Sequence, residues 1–531
     1  MRDLLTRRLL LVLSGLVVLL LFVKYFWTFF AFPGVPVGYD AGIYRFLFIR
    51  EAAGWPPFFT PVLPEWAKSH APGLFFFTSP LVQAGLSPDL LIGWIWNLVP
   101  VLLACVLALV VRRKHGDLAG LFLLLCALVS VVQMQGFLMM YYKVFVAMLL
   151  CALAFAALES GSLLWIPLGM LTVAMHQQIG LVFAVATFSS LVSGHVFAKK
   201  KPSLSLWLQW LLTLTLGALW YLPTYQRSLG DIVPQLFGSG TILVLTVALM
   251  AVGIFAALIV TLPQQNRRFI WGLCVVTATM ILVALPIVSD APDLVVRYLF
   301  LRTDTQPGAF LGILEYLRMS APLLFLGIVG LTLSVEKERG SPAQWAALWC
   351  AVAAFGMFFF YRRFLLPMDF FLLPFAALAC AALWKNRYGR IIVGVLLLAQ
   401  SSFLFQQIRL ADPHVERAWL TDFAALPSLV PAGSEVVVLD NMAPWIVGYL
   451  PQAQVSGPGI FNSRSYAEWE KFLLGSSADR SVFFARYPKG TFFYASKVFS
   501  GYYPPEVQSV LDHPCLTKTS IIGLYQSVCG S

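Results

Sequence analysis

Residues 9–32, LLLVLSGLVVLLLFVKYFWTFFAF, form one apolar run. Crossing a bilayer as a helix takes about 20 such residues, because the hydrocarbon offers backbone polar groups no partner outside the helix. The run is 24 residues long and lacks a small-residue cleavage site, so it reads as an anchor and not as a removable signal. Outward from it, further runs lie near 89–111, 118–133, 137–158, 163–175, 179–194, 204–222, 240–262, 269–288, 319–335, 343–360, 364–384 and 390–408, which makes thirteen crossings. The composition agrees: 59% of the 531 residues are hydrophobic and 11% are charged, where soluble chains average about 25% charged. A water-soluble enzyme, a disordered chain and a fibre are excluded. The 16 Trp and 18 Tyr suit the membrane boundary, where an apolar ring with a polar tip satisfies both media. The fold class expected is an α-helical polytopic membrane protein.

The formal net charge of +11 takes its meaning from its location. With Arg2, Arg7 and Arg8 on the cytoplasmic side, alternation gives the inner loops Arg112-Arg113-Lys114, Lys199-Lys200-Lys201, Arg267-Arg268, Lys337/Arg339 and Lys385/Arg387/Arg390. That side collects sixteen Lys and Arg against five acids. The whole excess sits on one face, as the positive-inside rule requires, and no nucleic-acid partner is needed to explain it. The parity rests on two choices. Residues 73–86 are too short for a crossing and read as an interfacial helix on the outer side. Residues 163–194 are split at His176-Gln177-Gln178, since one long helix would export the three lysines at 199–201.

Thirteen crossings place residues 409–531 outside. There nine Lys and Arg meet ten Asp and Glu. Glu435–Asp440, Ser481–Ala485 and Thr491–Tyr494 read as strands between turn residues. The organisation expected is therefore a transmembrane domain, 1–408, with an outer first loop at 33–88, and a soluble extracytoplasmic α/β domain, 409–531. Six of the eight cysteines fall in spans. Cys515 and Cys529 fall in the tail, where an oxidising compartment permits a disulfide. GxGxxG, Walker, CxxC, HExxH and GxSxG patterns are absent, so nucleotide-driven transport and zinc proteolysis lack their usual signals.

Chemistry-bearing residues gather on the predicted outer side. Asp40 and Tyr44, in Gly38-Tyr39-Asp40-Ala41-Gly42-Ile43-Tyr44, share a face at helical spacing. Asp40 also stands where an acid would cap a helix. His70 lies in a proline turn, His70-Ala71-Pro72-Gly73. Lys143 lies just inside the outer end of a span, where it could snorkel. His176 interrupts an apolar pair of runs. Tyr361-Arg362-Arg363-Phe364 puts two arginines against the positive-inside trend, which calls for an anionic partner: head groups, Asp369 or a phosphate-bearing substrate.

With these residues in place, the sequence resembles the GT-C superfamily of membrane glycosyltransferases, which take sugars from polyprenyl phosphates or diphosphates. Within it the chain is similar to the protein O-mannosyltransferase and lipid A aminoarabinose transferase type. The likeness covers roughly 9–408 and rests on the first-loop Asp40, the His70-Ala71-Pro72-Gly73-Leu74 turn and Arg363-Phe364-Leu365-Leu366-Pro367. Ala71 replaces the first proline of the family's pair, and Ala41 follows Asp40 where many relatives carry a second acid or proline. The resemblance implies an inverting transfer of a hexosyl or pentosyl group, with Asp40 as general base and Lys143, Arg362 and Arg363 on the donor phosphate. Tyr44, His70, His176 and Tyr361 would contact substrate. The single loop acid implies a metal-independent phosphate clamp; the competing arrangement gathers Glu65, His70 and His176 around a divalent ion. The partners expected are a polyprenyl-phosphate sugar donor, a lipid, glycan or protein acceptor, and membrane lipids, with the chain in the plasma (inner) membrane. The competing functions are a lipid-linked glycan flippase and a non-catalytic envelope assembly protein.

Overall fold

The computed structural model describes residues 2–54, 63–68, 70–198, 203–221, 310–337, 342–358, 362–458 and 464–530. The spans expected near 240–262 and 269–288, the loop residues Lys199–Lys201 and Arg267-Arg268, and Tyr361 lie outside these residues. The described residues are mostly helical, with one small C-terminal sheet among them.

Among the described residues, six helices are long and apolar enough to cross a membrane: Arg8–Ala31, Pro88–His115, Tyr142–Glu159, Leu314–Leu333, Arg362–Leu383 and Arg387–Leu410. A bent pair, Asp117–Val129 and Val131–Leu138, makes a seventh if it is counted as one span. The chain is thus a multi-pass membrane protein, but its described spans of full length fall short of the thirteen expected. Two of the expected spans lie outside the described residues, several other apolar helices are shorter than a full crossing, and two apolar runs are broken. Ser130 breaks one apolar run by 52°, and His176 breaks another into Trp165–Met175 and Gln177–Ala198, at the site where the polar triple predicts a division.

The described residues form two compact units. The first comprises Met1–Phe26, Ala71–Leu74 and Asn97–Ala411. Its elements used below are α1 (Arg2–Ala31, whose end passes into the second unit), α2 (Asp117–Val129), α3 (Val131–Leu138), α4 (Tyr142–Glu159), α5 (Trp165–Met175), α6 (Gln177–Ala198) and α7 (Leu365–Leu383). Lys114 Nζ reaches Glu159 Oε1 at 3.2 Å, so the turns at 115–117 and 159–162 share one end of the helices, as alternation demands of two inner loops. The Ala71-Pro72-Gly73-Leu74 turn packs on the end of α5. A Cβ on Gly73 would lie 2.7 Å from the Ala174 carbonyl, so this contact admits only glycine.

The second unit comprises Trp27–His70, Phe75–Trp96 and Asp412–Ser531: the first outer loop packs with the tail. Here α8 (Ala41–Ala53) crosses α9 (Ala443–Tyr449) at Gly42 and Gly448, and a Cβ on Gly448 would lie 2.5 Å from the Gly42 carbonyl oxygen. Arg45 donates to the Gly448 carbonyl and pairs with Asp89 at 2.8 Å, and the Tyr39 hydroxyl donates to the Asn441 carbonyl at 2.9 Å. Gly448→Val is expected to cost about 1–3 kcal/mol through overpacking against backbone that has no room to yield. The readouts are the thermal midpoint and faster proteolysis within 41–54; an unchanged midpoint contradicts the close crossing.

The tail is a five-stranded sheet in the order β2-β1-β3-β5-β4, with β1 (Glu435–Val438), β2 (Gln454–Ser456), β3 (Phe492–Tyr494), β4 (Leu516–Lys518) and β5 (Leu524–Ser527). β1 pairs in parallel with β2 and β3, while β5 is antiparallel to both its neighbours. Two of the three strands expected from sequence are present. Ser481–Ala485 is instead part of a helix, Ser477–Phe484. A capping box between Ser476 and Asp479 starts it, and adjacent Phe483 and Phe484 both fit the core, around Phe472 and Phe493. Cys515 and Cys529 form a disulfide with Cα atoms 4.9 Å apart, tying β4 to the residues that follow β5. Closing a loop with a separation of 14 residues constrains the unfolded chain by about 3 kcal/mol. Cys529→Ser is expected to lower the tail's stability by that order and to abolish any effect of reductant on melting; a variant as stable as the parent contradicts this.

Candidate functional site

The helical unit brings four residues together at one end. The break between α3 and α4 turns through Met140, a non-glycine at φ 58° whose side chain is fully buried. Left-handed backbone at such a residue is costly and persists only where the surroundings hold it. Here the turn presents Tyr141 and, in the first turn of α4, Lys143. Lys143 is buried, so it does not snorkel. The Arg363 guanidinium stacks over the Tyr141 ring, 4.6 Å from its centroid. Stacking uses the face of the guanidinium, whereas hydrogen bonding uses its edge, so the contact with Tyr141 fixes the plane of the group. Arg362 and Arg363 lie on the short turn Arg362–Phe364 that opens α7.

His176 stands between α5 and α6. Its Nδ1 accepts the Ile179 N–H at 3.4 Å, which assigns the remaining proton to Nε2. Lys143 and Arg363 are the charges that bear on it. Lys143, Arg363 and His176 thus lie near enough for the two cations to act on the imidazole. The bond from the Ile179 N–H makes His176 a cap at the start of α6.

The second unit holds the acid. Asp40 is the N-cap residue of α8, yet its side chain makes no capping hydrogen bond, so capping does not account for it. Tyr44 is buried one turn on, its ring 6.2 Å from Phe48. The Tyr39 hydroxyl is pushed up to about 12, by burial first and then by the charges of Asp40 and Asp440. Asp440, at the end of β1, was not anticipated from sequence. Its oxygens accept the N–H groups of Met442 and Ser496, both at 2.9 Å, and burial outweighs these bonds to push its carboxyl up. It serves the loop geometry. His70 packs edge-on against Trp66, which packs on Phe46 of α8, so an aromatic bridge joins His70 to the helix that Asp40 begins. Among the described residues, no three His, Cys, Asp or Glu side chains form a metal-ligating group. His70 and His176 belong to different units.

Two further features bear on chemistry. A cavity of about 520 Å³ in the second unit is lined by Phe29, Trp94, Asp89, Arg417, Thr421 and Tyr449 among others, with the Phe29 and Trp94 rings stacked at 4.7 Å. In the tail, Ser481 Oγ lies 3.2 Å from His513 Nε2, a pair that resembles an activated nucleophile. It is not one: His513 Nδ1 accepts the Cys515 N–H, so Nε2 holds the proton and donates, while Ser481 gives its own proton to the Ser477 carbonyl.

The sequence missed Lys24 and underused Asp369. Both are buried in the helical unit, and a charged residue inside an apolar span is itself a signal. Asp369, one of three partners considered for the arginines, is engaged elsewhere: its Oδ2 accepts Ser130 Oγ at 2.9 Å and Gln133 Nε2 at 3.1 Å.

Comparison with known proteins finds no matching family model and no matching curated protein. Solved structures do match. The archaeal oligosaccharyltransferase AglB from Archaeoglobus fulgidus, in complex with an inhibitory peptide and a dolichol-phosphate, is 14% identical with a TM-score of 0.58, covering 92% of this chain and 70% of that one. The Archaeoglobus fulgidus oligosaccharyltransferase in apo form gives 14% and 0.54, covering 89% and 68%. The same enzyme with Zn and sulfate gives 13% and 0.51, covering 98% and 73%. Such identities speak to architecture: over nearly its whole length this chain shares the fold of these membrane oligosaccharyltransferase structures.

Proposed function

We propose that the chain is an integral-membrane glycosyltransferase that moves a sugar from a polyprenyl-phosphate-linked donor to an acceptor on the extracytoplasmic side, with inversion. The observation that carries this reading is the cluster of Lys143, Arg363 and His176 at one end of a GT-C-fold helical unit. The AglB complex holds a dolichol-phosphate, in keeping with a lipid-linked donor here. Its inhibitory peptide is in keeping with a protein acceptor.

In the reaction, the acceptor O–H or N–H gives its proton to Asp40 as the heteroatom attacks the anomeric carbon. The bond from that carbon to the phosphate oxygen breaks, and its electron pair leaves with the lipid phosphate. Lys143, Arg362 and Arg363 neutralise the charge that grows on the leaving group, an effect strongest where preorganised donors replace water. The His176 Nε2–H adds a neutral donor. His70 and Tyr44 contact the acceptor. The cavity bounded by Phe29, Trp94 and Tyr449 suits the apolar and ring faces of an acceptor, with Arg417 and Asp89 at its polar part. In this proposal the transfer takes place on the side to which 409–531 is exported, opposite the cytoplasmic N-terminus.

The test is transfer from a radiolabelled polyprenyl-phosphate sugar in proteoliposomes carrying the purified chain. The expected result is label in a new covalent product with release of polyprenyl phosphate. Label that crosses the bilayer chemically unchanged would establish a flippase and overturn the proposal.

A further inference from the structure

Lys24 lies about two turns before the outer end of α1 and is 4% exposed. An ammonium in the middle of a span costs on the order of 3 kcal/mol unless it is matched. Here it is matched by an unusual donor set. Its Nζ donates to the carbonyls of Ala127 and Ser130, each at 3.0 Å. Both carbonyls lie at the bend between α2 and α3; that of Ser130 also accepts the Met134 N–H at 3.4 Å, and Lys24 gives the pair a shared donor in an apolar interior. Asp369 supplies the opposite charge. Ser130 links the two sides: its Oγ accepts the Gln133 N–H at 3.1 Å and donates to Asp369.

Two carbonyls from an unwound stretch of helix beside a carboxylate and a hydroxyl are the oxygen set that holds a monovalent cation in a membrane bundle. We propose that the break at Ser130 is a monovalent-cation site filled by the chain's own tethered ammonium, Lys24, and that its occupancy fixes α3 against α7. The consequence reaches the phosphate cluster by short paths. α3 leads through Met140 into Tyr141 and Lys143, and α7 starts directly after Arg362 and Arg363. Lys24, Ser130 and Asp369 are therefore positioning residues for the cationic cluster. This second half rests on the function proposed above; the cation site itself does not.

The experiment uses the full chain in detergent. Lys24→Ala removes a propylammonium equivalent, so n-propylammonium chloride is the probe, and tetramethylammonium, which has no N–H to donate, is the control at equal ionic strength. The variant is expected to melt several degrees below the parent. Propylammonium should recover at least half the loss in a saturable manner and the control none. Lys24→Met keeps the stem and lacks the charge; it should melt low and respond to neither ion, so it carries the test even where Lys24→Ala does not fold. A Lys24→Met protein that melts like the parent, or equal recovery of Lys24→Ala by both ions, overturns the cation site. Binding of decaprenyl phosphate should weaken at least tenfold in Lys24→Met, and unaltered affinity overturns the positioning role. A parent chain that binds no decaprenyl phosphate would instead sink the proposed function and leave the melting result to decide the cation site.

Discussion

Asp40→Asn is expected to lower sugar transfer by about 10²–10⁴-fold, the usual contribution of a positioned general base, while affinity for polyprenyl phosphate stays within about twofold of the parent, since the substitution leaves every cation in place. The two side chains have nearly the same shape. The carboxylate makes no capping hydrogen bond to α8, so helix stability is not the quantity being altered. Single-turnover assays with saturating donor isolate the chemical step, and the thermal midpoint controls for folding. Full turnover in the Asn variant removes Asp40 as the base. A parallel loss of donor binding makes it a structural residue.

Arg363→Met should weaken binding of polyprenyl phosphate by about 100-fold, in line with the roughly 2–5 kcal/mol lost when one member of a desolvated charge pair is truncated. Arg363→Lys should recover only part of this. The guanidinium stacks on Tyr141 and presents a planar fork, whereas an ammonium is a point charge on a flexible stem. Tyr141→Leu should give a smaller loss, near the value of one cation–π contact, about 0.5–2 kcal/mol. Titration of a fluorescent polyprenyl phosphate measures all three. Equal affinities across the set would mean that the pair at 362–363 meets head groups and not substrate.

The sequence is most legible where a single run is its own evidence. Residues 9–32 are apolar apart from Ser14, Lys24 and Thr28, and no tertiary partner is needed to read them as a span. The polar triple at 176–178 marks a break for the same reason, and Arg362-Arg363 stand out because their predicted side disfavours them. What could not be read depends on partners far along the chain. Ser130 looks like any small residue in an apolar run until Lys24 and Asp369 come to it from more than 100 residues away on each side. Gly42 and Gly448 are ordinary glycines until α8 crosses α9, so the packing of the first loop with the tail was invisible. The SVFFA segment at 481–485 alternates poorly, and its apolar content misled: Ser476 and Asp479 upstream decide for helix. The cations of the helical unit and the acid of the outer loop were each identified as candidates, and the structure assembles the cations by routes, such as the left-handed Met140, that local sequence does not announce.

A polyprenyl phosphate carrying a photoreactive group beside the phosphate tests the account most directly, with the labelled peptides identified after irradiation of the full chain in lipid. The account predicts labelling in both the Gly38–Tyr44 stretch and the segment from Arg362 to Leu366, lost together when excess unlabelled lipid phosphate is added. Labelling confined to one of the two would contradict it, because the base and the phosphate cluster would then not attend the same substrate.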